Sequence, residues 1–398
     1  MKNVRTLIPA LSLLLILFII SGKANAIPSF ARKYQISCQV CHSPVPHLKP
    51  FGEEFAGNGY RLTEYESPRY FIQTGDEKLS LLRELPLAIR LDGVATYNFG
   101  QSKTVDFGTL SGVKILSGGE LSDKLSYYFY FFMSEGGDIV GVEDAFITYS
   151  DLFGTGLNIS AGQFQVCDPF YKRELRLTLE DIAILKAVPG QSTGSLTYDR
   201  GIMLDYTIPG LETGFVAEIV NGNGLNSGGE ELLFDKDSYK NVLGKISQPI
   251  GKTINLGLMG YIGKERLDEQ PGTYYSNIKM FGPVLNLDFD QHLMINMQYI
   301  KRIDTNVYLE ETDEFVMDAS TQGGYLEAIY APRGDQSKWY LTGLLNWVDS
   351  DIKELDYKSA TLNLCHVLRR NVRLVGEYTY LSGEEEYGKM SLGVVAAF

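Results

Sequence analysis

Residues 87–99 read LAIRLDGVATYNF, and the fold turns on how they alternate. Side chains on an extended chain repeat every two residues. Leu87, Ile89, Leu91, Gly93, Ala95, Tyr97 and Phe99 therefore fall on one face, and Ala88, Arg90, Asp92, Thr96 and Asn98 on the other. The same dyad recurs in INLGLMGYIG (254–263), LMINMQYIK (293–301), KWYLTGLLNWV (338–348) and NVRLVGEYTY (371–380). Soluble sandwiches alternate too, but they turn the apolar face inward. Here many segments end on Tyr, Phe or Trp and the second face is polar. That pattern predicts an apolar, lipid-facing exterior with aromatic girdles and a wet interior.

Strands and turns together predict a mainly β chain, an antiparallel transmembrane barrel of about sixteen strands over residues 86–398. The turns alternate in length. SDK (122–124), IPGLET (208–213), QPIGKT (248–253), DFDQ (288–291), PRGDQS (332–337) and RRN (369–371) are short and belong at the periplasmic end. NGNGLNSGGEELLFDKDS (221–238), GKERLDEQPGT (263–273), RIDTNVYLEETDEFVMDAS (302–320), DSDIKELD (349–356) and SGEEEYG (382–388) are longer and acidic. They are either plain solvated surface or a negative mouth that gathers cations through Glu310, Glu311, Asp313, Glu314, Asp349, Asp351, Glu354, Asp356 and Glu384 to Glu386. One connection stands apart. After the fifth strand, the stretch from Cys167 to Gly201 mixes charges with apolar residues at helical spacing and is long for an unstructured loop. By analogy with sixteen-stranded porins, this third long loop is expected inside the lumen. Cys167 and Cys365 read as lone thiols, with a disulfide between them left open.

Composition agrees with β-structure: the 398 residues include 25 Tyr, 20 Phe and 41 Gly, with 44% apolar residues. The net charge of −13 excludes nucleic acid as a partner class. Residues 1–26 read as a removable export signal: Lys2 and Arg5, the apolar run LIPALSLLLILFII, then ANA before Ile27.

Between signal and barrel, residues 27–85 carry a second kind of information. SCQVCHSPVPH (37–47) holds two of the chain's four Cys and two of its four His. Two thiols spaced Cys-x-x-Cys can each add across a haem vinyl group, and the adjacent His then faces the iron. Cys38 and Cys41 are thus expected to hold one covalent haem c, with His42 as the proximal iron ligand. A zinc site would need two further well-placed ligands, and a redox dithiol should sit in a βαβ pattern that does not follow. His47 is a candidate distal ligand, a solvated or propionate-bonding residue, or a bystander to an open sixth position. Three helical patterns surround the motif: SFARKYQ (29–35), PFGEEFAGNGY (50–60) and DEKLSLLREL, whose Asp76 is a plausible N-cap. So small a segment shields only part of a haem, so something else must cover the rest.

FARKYQISCQVCH (30–42), PFGEEFAGNGYRL (50–62) and GQFQVCDPFYKRELRLTLED (162–181) resemble the fused monohaem cytochrome–porins of bacterial outer membranes, a group that includes outer-membrane iron oxidases. The terminal strand KMSLGVVAAF, ending on Phe398, is similar to the recognition signal of outer-membrane proteins. The resemblance implies a haem segment plugging the periplasmic half of the barrel. It also implies electron transfer between an extracellular cation or acceptor, Fe(II) included, and periplasmic electron carriers. Two functions follow as expectations: an outer-membrane electron carrier or Fe(II)-oxidising cytochrome, and a solute porin whose haem segment is a structural or redox-gated plug.

Overall fold

A computed structural model describes residues 29–62, 71–72, 75–76, 81–82, 86–100, 104–135, 138–167, 173–226, 233–235, 237–269, 272–309, 314–383 and 386–398. The export signal lies outside the described residues. Three short helices come first: α1 (Ser29–Tyr34), α2 (Cys38–Cys41) and α3 (Pro50–Gly57). A two-stranded ribbon follows, β1 (Phe71–Ile72) with β2 (Leu81–Leu82), paired antiparallel. The helix expected from Asp76 is therefore not formed at Leu81 and Leu82. Their backbone groups are taken up by Phe71 and Ile72, a cross-strand pairing that local helical spacing does not register.

The rest is a closed barrel of sixteen antiparallel strands, β3 (Leu87–Asn98) through β18 (Tyr387–Ala397). Every strand pairs with its chain neighbour, and β18 pairs with β3 from Lys389 opposite Asn98 to Ala397 opposite Arg90. Phe398 completes the seam. Its amide donates to the Ile89 carbonyl at 2.8 Å, and the Ile89 amide returns the bond at 2.7 Å.

The alternation is inverted relative to a soluble barrel. On β15 (Trp339–Ser350), Trp339, Leu341, Leu345 and Trp347 point outward, while Tyr340, Thr342, Leu344, Asn346 and Val348 are buried within. Apolar groups on the outside of a closed barrel are covered only by lipid. Outward aromatics gather towards both ends of the shorter strands, Phe153, Phe289, Tyr330 and Trp339 near the short turns and Phe107, Trp347, Tyr378 and Tyr380 towards the other rim, as two girdles require. Among the described residues no helix is long and apolar enough to cross a membrane.

Two expectations change. The acidic stretches 263–273 and 302–320 are mostly strand, because β11 (Ile254–Glu269) and β12 (Gly272–Phe289), and likewise β13 (Leu293–Leu309) and β14 (Glu314–Tyr330), run on past the membrane as long hairpins. Cross-strand pairing out to Glu269–Gly272 and Leu309–Glu314 satisfies backbone groups that a loop would leave to water. The acidic groups of 349–356 are engaged locally as well. Asp351 accepts from the Ser320 amide at 2.8 Å, and Asp356 from the Ser350 amide at 2.8 Å. Glu310, Glu311, Asp313, Glu384 and Glu385 lie outside the described residues.

The second change is the interior, which is packed rather than wet. Residues 166–167 and 173–197, between β7 (Leu157–Gln165) and β8 (Tyr198–Ile208), fold into the lumen as expected of the third long loop. Its described residues form one 3-10 turn (Arg173–Leu175) and one α-helical turn, α4 (Ala183–Lys186), rather than the longer helix its spacing suggests. Ile182, Ile184, Leu185 and Leu196 are buried against inward residues from several strands, among them Leu243, Met259, Tyr261, Ile278, Ile300, Tyr325 and Leu344. Each such side chain contributes about 1.5–3 kcal/mol by leaving water. Leu177 joins a second cluster with Met294, Ile329, Ala331, Tyr340 and Cys365. The loop's backbone is anchored on all sides. Lys245 donates to the Val166 carbonyl at 2.6 Å, Arg302 to that of Gly194 at 2.6 Å, Asn346 to that of Asp181 at 2.9 Å and Arg373 to that of Leu177 at 3.1 Å. Glu377 accepts from the Leu179 and Glu180 amides at 2.6 and 2.9 Å.

Candidate functional site

The Cys-x-x-Cys-His motif folds as one capped turn. Ser37 Oγ accepts from the Gln39 amide at 3.3 Å, and the His42 amide closes the turn on the Cys38 carbonyl at 2.9 Å. A spacing of three puts both thiols on one side of the turn. The chain then doubles back: the Ser43 amide reaches the His47 carbonyl at 3.0 Å, and the Lys49 amide the Cys41 carbonyl at 2.8 Å. Gly52 lets α3 lie against the motif, since a Cβ there would run into the Cys41 carbonyl oxygen.

The hairpin fixes the first histidine. His42 Nδ1 lies 2.9 Å from the Pro46 carbonyl. A carbonyl only accepts, so Nδ1 carries the proton and Nε2 keeps the free lone pair that iron ligation requires. Burial holds His42 below its ordinary pKa, partly opposed by the Pro46 carbonyl. His47 follows on the same hairpin with Nδ1 buried and without a hydrogen-bond partner. Burial, and then the neighbouring His42, push its pKa down to about 4, which favours the neutral imidazole. Burial also pushes the Cys41 thiol up to about 11, with Cys38 adding to it, and raises Cys38. A redox dithiol is a lowered-pKa thiolate, so this pair lacks that character. Among the described residues no group of three or more His, Cys, Asp or Glu converges as a zinc site would need. Cys167 and Cys365 are buried and form no disulfide.

The barrel supplies the opposite wall. A cleft between motif and rim is lined by Cys38, Gln39, His42, Pro44 and Val45 on one side and by Asp335, Tyr340, Val367 and Arg370 on the other. Lys49 bridges the two, donating to Asp335 at 3.0 Å and to the Gln39 carbonyl at 2.9 Å. The Tyr340 hydroxyl meets Ser43 Oγ at 3.3 Å, beside His42. Further round the rim, Arg32 donates to the Leu87 carbonyl at 2.7 Å and Lys33 pairs with Glu120 at 3.4 Å. Tyr60 stacks between Phe30 and Tyr128, with centroids 5.2 and 4.9 Å away. Gly59, at φ +68°, allows that approach; a Cβ there would strike Ser126 of the barrel wall. All these contacts are at the short-turn end.

No protein-family model matches the chain, and no curated protein matches it either. Solved structures do. The outer membrane channel DcaP of Acinetobacter baumannii superposes with a TM-score of 0.56 at 12% identity, covering 79% of this chain and 97% of that one. An anion-selective porin from Comamonas acidovorans gives 0.54 at 12% identity over 78% and 98%. A loop-deletion form of OmpT from Vibrio cholerae gives 0.53 at 10% identity over 79% and 99%. The barrel has the porin fold. The uncovered fifth of the chain is close to the share that precedes Leu87. Porin-fold neighbours from outer membranes and an apolar outward belt both fit an outer-membrane location.

Sequence reading brings Cys38, Cys41, His42 and His47 together, and the structure places all four within one hairpin. It missed the barrel half of the cleft. Asp335, Tyr340, Val367 and Arg370 lie in or beside the short turns PRGDQS and RRN, and nothing in their spacing points at residue 38.

Proposed function

We propose that this porin-fold barrel carries one covalent haem c at its short-turn mouth and moves single electrons between an extracellular donor or acceptor, such as Fe(II), and periplasmic carriers. The observation that carries the reading is the Nδ1 bond of His42 to Pro46, which leaves Nε2 free one residue after two thiols on a single turn. Cys38 and Cys41 would hold the porphyrin by thioether bonds and His42 would be the proximal ligand; the bound haem supplies a one-electron couple. His47 is left out of the coordination in this reading, because it returns on the same hairpin beside His42. Lys49 and Asp335 hold the motif against the rim, and α3 and the Tyr60 stack keep its back face dry. The packed loop opposes free passage of any solute, Fe(II) included, since each would have to part the Ile182, Leu185 and Tyr325 cluster, so in this reading electrons and not the donor cross the lumen.

A second reading is a solute channel whose N-terminal segment is a structural or redox-gated plug. The fold comparisons favour it: similar structures are described as an outer membrane channel and an anion-selective porin. Two measurements on the detergent-purified chain separate the readings. Under electron transfer, an alkaline pyridine spectrum gives one haem c per chain, anaerobic Fe(II) reduces it in stopped flow, and planar bilayers show little conductance. Steady conductance with a haem indifferent to Fe(II) and to other small reductants selects the channel.

A further inference from the structure

We infer that Arg370, in the turn between β16 (Tyr357–Arg369) and β17 (Val372–Ser382), is the barrel's cation for a carboxylate of the haem held at Cys38 and Cys41. The inference rests on the haem reading above. A haem offers a flat apolar ring and two propionate carboxylates, so its site needs apolar walls and a cation with free donors. The cleft is narrower than a porphyrin, so segment and rim would part around one, and the walls would then be Pro44 and Val45 on the segment and Val367 and Tyr340 on the barrel.

Among the residues that line the cleft, Arg370 is the one cation. Asp335 is neutralised by Lys49, whose ammonium is also spent on the Gln39 carbonyl. Arg373 is buried and turned inward, donating to the Leu177 carbonyl at 3.1 Å and lying 3.9 Å from Cys365 Sγ. Arg370 lines the cleft, and no hydrogen bond or ion pair ties it to another described residue. It lies near enough to act through its charge on both Cys38 and Tyr340. A guanidinium presents a planar fork that fits a carboxylate in two parallel bonds, which an ammonium does not. It sits on the turn across the cleft from the thiols, so it grips what they hold from the other side.

The test compares Arg370→Gln, Arg370→Lys and, as a control in the same turn, Arg369→Gln, all in the full-length haem-loaded protein. Haem per chain is read from the pyridine spectrum and the midpoint potential from a spectroelectrochemical titration. A cation beside the haem favours its reduced state, which carries one less positive charge. Arg370→Gln should therefore keep one haem per chain and lower the potential. At a fixed mediator poise the reduced-to-oxidised ratio should fall on the order of tenfold, the scale of one nearby unit charge in partly solvated surroundings. Arg370→Lys should recover most of the shift, and Arg369→Gln should sit at the wild-type value. Haem lost from Arg370→Gln with heat-modifiable gel mobility intact, and restored by Lys, would equally support the assignment. An unchanged potential in Arg370→Gln, or an equal shift in Arg369→Gln, overturns it while leaving the haem reading intact. A wild-type chain without haem overturns both.

Discussion

The lumen loop and the N-terminal segment are the two large parts of the chain outside the sheet, and they are held in different ways. Residues 173–197 are bound from the surrounding wall by buried groups: Glu174 by Lys114 and Tyr130, the Leu179 and Glu180 amides by Glu377, and the apolar row of Ile182, Ile184 and Leu185 by inward residues from β10 (Asn241–Ile250) to β15. Residues 29–62 meet the described part of the barrel at the short-turn rim, through a stacked tyrosine, a few polar bonds at the edge and the Lys49–Asp335 pair. The loop is part of the barrel's core. The segment is a docked body that could change without unfolding its host. The difference teaches that burial all round, not position in the chain, decides what counts as barrel.

The sharpest way to break this comparison is chemical. Replacing Cys38 and Cys41 together by Ala should remove haem staining from a denaturing gel completely and leave the heat-modifiable mobility of the barrel as it was. Retained staining would sink the haem assignment, and a lost mobility shift would show that segment and barrel are not separable. Next in size, Ile182→Ala and Leu185→Ala should each cost roughly 2–5 kcal/mol of stability in urea titrations of the protein in vesicles, because each empties a site that cannot collapse. If either costs less than about 1 kcal/mol, the loop is not core.

A pH series sharpens the same contrast. Burial alone would raise Asp181, but Arg176, Arg173 and Lys186 more than reverse this and hold it at about 2 rather than its ordinary 3.8. A carboxylate with a depressed folded-state pKa gives stability that is complete above its unfolded value and is lost as pH falls through the folded one. The loop should thus lose roughly 2 kcal/mol between about pH 4 and pH 2, and Asp181→Asn should flatten that window. Equal slopes for the two proteins would deny the cluster its role. The smallest effect belongs to the rim. Asp335→Ala should cost about 0.5–1 kcal/mol, seen as faster hydrogen exchange over residues 38–49 with the strands unchanged. No change there would mean that Lys49 and Asp335 do not hold the motif.

Much of this was legible in the chain. Period-two alternation, turn lengths and the long connection after the fifth strand mark the barrel and its inserted loop, because they follow from strand geometry and lipid exposure. The packed interior was legible only in part. In INLGLMGYIG both faces are apolar, Leu258 and Ile262 outward and Met259 and Tyr261 inward. A strand apolar on both sides must be covered on both, by lipid on one and by protein on the other. The motif announced Cys38, Cys41 and His42 through spacing alone. Asp335, Tyr340 and Arg370 gave no such signal, since a short polar turn looks the same whether or not a helix docks on it.

The cleft at the motif has a consequence in time. Ser43 and Tyr340, which meet across it, are 297 residues apart in sequence. One wall is made early and the other comes from the last quarter of the chain, after most of the strands. Until β15 and β16 are in place the motif faces no barrel. Whatever is joined to Cys38 and Cys41 before that point meets an open half-site. Whatever is joined later must reach thiols with a wall already across them. On the haem reading proposed above, attachment before enclosure is the unobstructed order.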